Sequence, residues 1–190
     1  MGKYLWNQKK YSIYLNTILK PCLKLVYLKN YEIEIHLAYL SFDRVLNFFK
    51  NHSLCQYKQL LEIAVVDSMG KKFRFTLHYL FLSIRFQNRL RILVEVDELI
   101  PLPSIHNTFK SASWLEREVW DLYGVFFIHH NDMRRILTDY GFLGHPLRKD
   151  FPLTGFEEIY YNDSQKKIIY EKVELAQEFR TYTLKNPWIQ

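Results

Sequence analysis

The sequence predicts an α+β domain in which helices pack on a small, mostly antiparallel sheet, followed by an extended C-terminal tail. Three successive segments carry strand-like runs of apolar residues and are joined by links short enough for hairpins. Segments with helical periodicity precede and follow these strands. The chain has 190 residues, of which 48% are apolar, so it can bury a core.

Apolar periodicity predicts two helices and one strand in the first part of the chain. A helix within residues 9–20, stopped by Pro21, has one apolar face formed by Tyr11, Tyr14, Leu15, Ile18 and Leu19. We expect this helix to dock on the body of the domain, the alternative being a membrane surface. A half-buried strand is predicted at Tyr31, Ile33, Ile35 and Leu37. A second helix, ending near Asn51, is predicted from Phe42, Val45, Leu46 and Phe49.

The three strands of the central part are predicted at residues 60–66, 73–81 and 90–96. The first is an almost continuous apolar run, and the other two alternate apolar with polar side chains. The links at 67–72 and 85–88 are too short for a parallel crossover, so neighbouring strands should be antiparallel.

The chain divides by pattern into three parts: a basic N-terminal helical segment at 1–30, an α+β domain at 31–150 and an extended tail at 151–190. A hairpin is predicted in the tail around Asn162, Asp163 and Ser164. Several large apolar residues of the tail have no evident core of their own, namely Phe156, Ile159, Tyr160, Phe179 and Trp188. We expect a partner to cover them.

Charge and cysteine content restrict the possible functions. The net charge of +6 equals the charge of six lysines in residues 1–30, which contain no acidic residue, so the remainder is neutral. This distribution argues against a nucleic-acid partner. The basic start has no arginine, so we expect no transit peptide, and no apolar run is long enough to span a membrane. Cys22 and Cys55 cannot ligate an iron–sulfur cluster alone and indicate buried, reduced thiols.

Residues 114–152 are the most distinctive part of the sequence. Helical spacing predicts a helix that begins with a capping box of Ser113 and Glu116 and ends at Gly124. Beyond it, charged residues lie among glycine and proline stops without any secondary-structure period. The candidates for a site or an interface are Glu116, Arg117, Glu118, Asp121, Tyr123, Gly124, His130, Asp132, Arg134, Arg135, Asp139, Gly144, His145, Pro146, Arg148, Lys149, Asp150 and Pro152.

These residues do not indicate catalysis. The acids at 116, 118 and 121 do not converge on one side of a helix, and Arg117 is predicted to pair with Asp121 at i, i+4. Adjacent histidines at 129 and 130 favour a hydrogen-bonded turn over a metal site. No phosphate loop or dinucleotide motif is present in the sequence. The arginines either lock their own turn, for instance Arg134 with Asp139, or reach a neighbouring subunit, and the sequence leaves both open.

The segment resembles the 30 kDa subunit family of respiratory complex I, the NADH:quinone oxidoreductase, whose mitochondrial members are called NADH dehydrogenase subunit nine. The pattern of that family is an ERE-x-x-D helix ending in an aromatic residue and glycine, an H-x-D-[L/M]-RRIL-x-D turn and a GHPLRKD-[aromatic]-P turn. This chain reads EREVWDLYG at 116–124, HNDMRRILTD at 130–139 and GHPLRKDFP at 144–152.

The resemblance implies a non-catalytic structural subunit of the peripheral arm of complex I. It implies that the chain braces the quinone-site subunit and cluster-bearing subunits, with the tail along its neighbours, and that it touches the membrane only through the complex. FMN and iron–sulfur clusters would belong to partner subunits, with no cofactor in this chain. The implied location is the matrix side of the inner mitochondrial membrane, or the equivalent bacterial membrane. Two alternatives are the equivalent subunit of a related membrane-bound hydrogenase or formate-linked complex, and a small stand-alone enzyme using His130 or His145 as a base.

Overall fold

A computed structural model describes residues 8–20, 22–29, 32–186 and 188, and the chain divides into two units, Met1–Phe151 and Pro152–Gln190. The helices of the first unit are α1 (Gln8–Leu19), α2 (Phe42–Asn51) and α3 (Ala112–Tyr123). Its strands are β1 (Leu23–Lys29), β2 (Glu32–Leu37), β3 (Gln59–Asp67), β4 (Phe75–Ser83), β5 (Asn88–Val96), β6 (Leu102–Pro103) and β7 (Phe127–Ile128).

Strands β1 to β5 form one sheet in the order β1-β2-β5-β4-β3. Strands β3, β4 and β5 are consecutive antiparallel neighbours, and β2 pairs with β5 in parallel. The predicted α+β class with a mostly antiparallel sheet is therefore confirmed. The short strands β6 and β7 pair in parallel away from this sheet and hold the chain before α3 next to the chain after it.

The core lies on the face of the sheet that carries Phe75, Leu77, Tyr79 and Phe81 of β4, because alternate residues of a strand point to the same side. Helix α2 buries the four predicted residues Phe42, Val45, Leu46 and Phe49. The ring of Phe42 lies 4.7 Å from that of Tyr79, which places α2 on this face. The predicted end of α2 at Asn51 is confirmed.

Helix α1 docks on the body, as expected, with Tyr11, Leu15 and Leu19 buried in the same core. The helical interpretation of residues 1–30 is incomplete, since Leu23–Lys29 form strand β1, which pairs antiparallel with β2. The predicted stop at Pro21 and the predicted strand residue Tyr31 lie outside the described residues.

In the second unit, β8 (Glu157–Asn162) and β9 (Lys167–Lys172) form the predicted hairpin. The Oδ1 atom of Asn162 accepts hydrogen bonds from the amides of Ser164 at 3.0 Å and Gln165 at 3.2 Å, which closes the turn. Large apolar side chains of this unit are exposed, including Phe156, Ile159, Tyr160, Phe179 and Trp188.

Two further properties bear on function. In the part of the chain that the structure describes, no helix combines the length and the apolar character needed to cross a bilayer. Cys22 and Cys55 are both free thiols; Cys55 is buried, whereas Cys22 is half-buried.

Candidate functional site

The turns of residues 124–151 converge on the C-terminal end of α3. Gly124 follows the helix with a φ of 75°, a left-handed conformation that glycine adopts without strain, which confirms the predicted end of the helix. A Cβ atom at this position would lie 2.5 Å from Nη2 of Arg148 and 2.6 Å from the ring of His145. The missing side chain therefore lets the turn at 144–151 reach the helix end.

Asp121 in the last turn of α3 organises the turn at 135–138. Its carboxylate is fully buried and accepts five hydrogen bonds, from the amides of Ile136, Leu137 and Thr138, from the hydroxyl of Thr138 and from Nη1 of Arg135. Burial alone would raise the pKa of this carboxyl, but the hydrogen bonds outweigh burial and lower the pKa to about 2. Asp121 is thus held as an anion. Its carboxylate accepts hydrogen bonds from three consecutive amides, which in a helix or sheet would pair with backbone carbonyls.

Arg135 and His145 tie the next turn to the same helix end. Besides Asp121, Nη1 of Arg135 donates to the carbonyl oxygen of Gly144 at 2.8 Å. Nδ1 of His145 donates to the carbonyl oxygen of Asp121 at 3.0 Å, and the imidazole lies edge-on to Trp120 with ring centroids 5.5 Å apart. Burial lowers the pKa of His145, so this ring is neutral near pH 7.

Arg148 links the last turn to the sheet. Its Nε donates to the carbonyl oxygen of Tyr123 at 2.6 Å and its Nη1 to Oε2 of Glu98 at 3.2 Å, and its guanidinium stacks over the ring of Phe75. The carbonyl of Tyr123 is one that the end of a helix leaves without an intrahelical donor. Arg148 therefore contributes a C-terminal cap to α3 from another part of the chain.

A second buried carboxylate, Asp67 at the end of β3, belongs to the same network and was not identified from the sequence. Arg74 donates to both of its oxygens at 3.0 Å, and the amide of Lys149 donates to Oδ2 at 2.9 Å. Arg74 also donates to Oδ1 of Asp150 at 2.8 Å and contacts Glu98. The hydrogen bonds from Arg74 lower the pKa of Asp67. An acid that ends an apolar strand, followed by an arginine at the start of the next, is the signal that could have indicated this pair.

The carboxyl group of Glu116 is also buried, but it contacts the segment before α3 and not the turns after it. Its Oε1 accepts from the amide of Ile105 at 2.8 Å, and its Oε2 accepts from the hydroxyl of Ser104. Burial raises the pKa of Glu116 to about 7, against the lowering effect of these two hydrogen bonds. The predicted capping box is therefore wrong, since Glu116 holds the segment before α3, Ser113 lies inside the helix, and the N-cap Ser111 makes no side-chain capping bond.

One predicted ion pair is also wrong. Arg117 does not pair with Asp121; its Nε donates to the carbonyl oxygen of Arg134 at 3.0 Å and its guanidinium stacks over Trp114. Arg134 pairs with Asp132 at 2.8 Å. A pair at i, i+4 contributes only about 0.2–0.5 kcal/mol, less than the hydrogen bonds that a buried carboxylate must collect.

The remaining sequence candidates take different places. The side chain of His130 is buried and bonded at both ring nitrogens, to the carbonyl oxygen of Ser113 and the amide of Asp132. Oδ1 of Asp139 accepts from the amide of Tyr140, and Gly144 has a φ of 101° at a point where a Cβ would lie 2.9 Å from the ring of Phe151. Glu118 and Lys149 are exposed, Tyr123 and Pro146 are half-buried, and Pro152 begins the second unit.

The described residues bring together no three histidine, cysteine, aspartate or glutamate side chains that could hold a metal ion. His129 is exposed and has a φ of 63°, whereas the side chain of its neighbour His130 is buried. The two adjacent rings therefore do not converge on one point.

Comparison with known proteins identifies this arrangement. Residues 35–157 match the sequence model of the family described as the 30 kDa subunit of respiratory-chain NADH dehydrogenase. The chain belongs to this family. The matched range begins within β2 and includes β3, β4, β5, α3 and the whole segment 114–152.

Individual relatives agree with the family match. The chain is 48% identical over 167 residues, 88% of this chain and 81% of the relative, to NADH-ubiquinone oxidoreductase subunit 9 of Reclinomonas americana. It is 46% identical over 157 residues, 83% of this chain and 79% of the relative, to a subunit of the NADH-quinone oxidoreductase of Paramagnetospirillum magneticum. A chain in the structure of an archaeal membrane-bound sulfane sulfur reductase shares the fold, with a TM-score of 0.63 and 21% identity over 77% of this chain and 86% of that chain.

For this member of the 30 kDa subunit family, the geometry assigns a structural use to the charged residues of the segment 114–152. Asp121 and Arg135 bind backbone groups of turns that no helix or sheet ladder supports, and Arg148 binds the last carbonyl group of α3. For Arg135 and Arg148, the partners observed thus lie within this chain. Arg134 is largely exposed and paired only within its own turn, so it remains accessible at the surface.

Proposed function

We propose that this chain is a non-catalytic structural subunit of the peripheral arm of a respiratory NADH:quinone oxidoreductase. In this proposal it braces the quinone-site subunit and the cluster-bearing subunits, while NADH oxidation and electron transfer take place in those partners. FMN and iron–sulfur clusters are held by partner subunits and no cofactor by this chain. The complex places the chain at the matrix face of the inner mitochondrial membrane, or at the equivalent face of a bacterial membrane.

The exposure of the second unit is the observation that carries the proposal. Tyr182, Leu184 and Trp188 are each 87–91% exposed, and the described residues after β9 form neither helix nor strand. Ordering such a segment costs about 1–2 kcal/mol per residue of backbone entropy, which only buried apolar area can offset. An extended arm with this composition is expected to be covered by a neighbouring subunit.

The hydrogen bonding of His130 and the names of the relatives support the same proposal. A stand-alone enzyme with His130 as its base is not favoured, because both nitrogens of that ring are already hydrogen-bonded within the chain. The relatives described above, at 46–48% identity, are named as subunits of NADH oxidoreductases, whereas the sulfane sulfur reductase chain is 21% identical. These values favour the NADH:quinone oxidoreductase over a related membrane-bound complex.

The proposal is tested by deleting residues 156–190. We expect the truncated chain to keep the thermal stability of the body to within a few degrees, because the side chains it loses are mostly exposed. We expect it to fail to co-purify with iron-containing subunits from the native membrane. A triple substitution of Tyr182, Leu184 and Trp188 by serine should reproduce the loss of assembly in the full-length chain.

The matched control is Leu99→Ser, which removes a side chain that is 90% exposed in the first unit. This variant should assemble normally if assembly depends on the arm and not on exposed apolar area in general. Incorporation of the truncated chain into the complex would refute the bracing arm, and so would unfolding of the body on truncation.

A further inference from the structure

A short chain of polar groups, buried at both ends, lies between α3 and the segment that precedes it. Glu116 is fully buried and His106 is 5% exposed, with Ser104 between them. The hydroxyl of Ser104 donates to Oε2 of Glu116, and its oxygen lies 3.0 Å from Nδ1 of His106. The other carboxyl oxygen of Glu116 accepts from the amide of Ile105.

Counting hydrogens fixes the tautomer of His106. The single hydroxyl hydrogen of Ser104 is donated to Glu116, so the hydrogen between Ser104 and His106 comes from Nδ1 of the ring. In the neutral ring Nε2 then carries a lone pair and no hydrogen. This atom is buried and makes no hydrogen bond of normal geometry among the described residues, although the side chain of Asn131 is near enough to raise the pKa of the ring.

His130 lies beside His106, with ring centroids 5.3 Å apart, and differs from it in this respect. Its Nδ1 accepts from the amide of Asp132 at 3.0 Å and its Nε2 donates to the carbonyl oxygen of Ser113 at 3.2 Å. A further proton on His130 would break the bond to Asp132. His106 can take a proton without such a loss.

We propose that the His106–Ser104–Glu116 chain is a proton-binding site that takes up one proton and keeps all of its hydrogen bonds. The proton adds to Nε2 of His106, the Nδ1 hydrogen moves to the oxygen of Ser104, and the former hydroxyl hydrogen of Ser104 moves to Oε2 of Glu116. The product is a carboxylic acid that donates to Ser104, which donates to Nδ1 of a neutral His106. One proton is gained, and the negative charge of the carboxylate disappears.

Titratable and polar groups from several elements surround the chain. The groups facing the chain are Tyr79 from β4, Lys110 from the segment before α3, and His130 and Asn131 from the turn after β7. Asp43 and Lys50 of α2 line a cleft of about 530 Å³ that also borders Ser104.

The pKa values of the two end groups agree with this direction of transfer. Burial raises the pKa of Glu116 to about 7. Burial, together with His130 and Lys110, lowers the pKa of His106, while Asn131 acts in the opposite direction. The ring is therefore expected to pass a proton on and to remain neutral.

Nuclear magnetic resonance of the full chain with labelled histidine and glutamate tests the proposal. As the pH falls from about 8.5 to 5.5, His106 should change from the Nδ1–H to the Nε2–H tautomer, with the same midpoint near 7 as the carboxyl carbon of Glu116. The proposal is overturned if His106 keeps one tautomer, if it becomes an imidazolium over this range, or if Glu116 titrates below about pH 5.

Two variants separate the steps of the transfer. Glu116→Gln places an amide that donates to Ser104 and accepts from Ile105, so it should fix His106 in the Nε2–H tautomer at every pH. Ser104→Ala should abolish the dependence of the His106 tautomer on the state of Glu116. Glu118→Gln, at an exposed position on the same helix, should leave the titration unchanged. The relay is overturned if His106 keeps the Nδ1–H tautomer in Glu116→Gln, or if its tautomer still follows Glu116 in Ser104→Ala. If a variant does not fold, the titration of the wild-type chain is the test.

Discussion

Replacing Asp121 should be among the more destabilising single substitutions in the first unit, because five donors depend on one fully buried carboxylate. The pKa of Asp121 falls from 3.8 to about 2 on folding, a preference for the ionised form of about 2–3 kcal/mol. Asp121→Asn removes the charge and also turns an amide NH₂ toward backbone donors. We therefore expect the free energy of unfolding to fall by about 3 kcal/mol. Asp121→Ala leaves three backbone amides without an acceptor and should cost about 3–5 kcal/mol.

Equilibrium unfolding in urea at pH 7, followed by circular dichroism, measures both losses. Asp139→Asn is the matched control, because Asp139 is exposed and its side chain, among the described residues, accepts a hydrogen bond only from the amide of Tyr140. The free energy of unfolding of this variant should stay within about 0.5 kcal/mol of the wild-type value. A loss below about 1 kcal/mol for Asp121→Asn would refute the assignment of Asp121 as the anchor of the turn.

The pH dependence provides a second, independent measurement. Because the pKa of Asp121 is lower in the folded than in the unfolded chain, its contribution is present above about pH 4 and is lost as the pH falls from about 4 to 2. Asp121→Asn should lack this acid limb of the stability curve, whereas Asp139→Asn should retain it.

Three further predictions concern other residues of the same region. Gly124→Ala should lower the free energy of unfolding by about 2–4 kcal/mol, because the new Cβ is both strained and in contact with Arg148 and His145. Gly141 has a similar φ of 73° but open space around a Cβ, so Gly141→Ala should lose only about 1 kcal/mol, from backbone strain alone. Equal losses in urea unfolding would contradict the close approach at Gly124. In the isolated chain, Arg148→Ala should lower the free energy of unfolding by about 2–3 kcal/mol, and the control Lys149→Ala should lower it by less than about 0.5 kcal/mol. If the Arg148→Ala monomer is as stable as the wild type, Arg148 acts at an interface and not in the fold of this chain. Since the pKa of Glu116 rises from 4.5 to about 7 on folding, the chain should lose about 3 kcal/mol of stability as the pH rises from about 4.5 to 7, and Glu116→Gln should remove that part of the slope.

The regular part of the fold was predictable because its periodicity is local. The alternation within β4 and β5, the short links and the apolar spacing of α2 each depend on neighbours within one element, and the structure confirms them. Strand β1 was missed because its seven residues lie in a lysine-bearing segment and gain their ladder from β2. Its existence depends on pairing and not on its own pattern.

The interior of the site was less predictable, because its partners are distant in sequence. Asp121 binds residues 14–17 positions further along, and Asp67 binds an amide 82 positions away. Rules for i, i+4 pairs and capping boxes consider only neighbours, so they assigned Arg117 to Asp121 and Glu116 to Ser113. Glu116 shows the limit most clearly, since nothing in its sequence context distinguishes a buried carboxyl group from an exposed helical glutamate.

The backbone of these turns explains why a dense set of charges in this chain does not indicate catalysis. Turns interrupted by glycine and proline cannot satisfy their backbone amides and carbonyls through a helix or a ladder, yet those groups must be paired when they are buried. Ionised side chains are efficient partners, because one carboxylate accepts from several amides and one guanidinium donates to several carbonyls. Asp121 accepts from three such amides here, and Arg148 donates to the carbonyl oxygen of Tyr123 and to the carboxylate of Glu98. The positions left over are exposed ones such as Arg134, and these, together with the apolar residues of the second unit, are the groups that remain available to a neighbouring subunit.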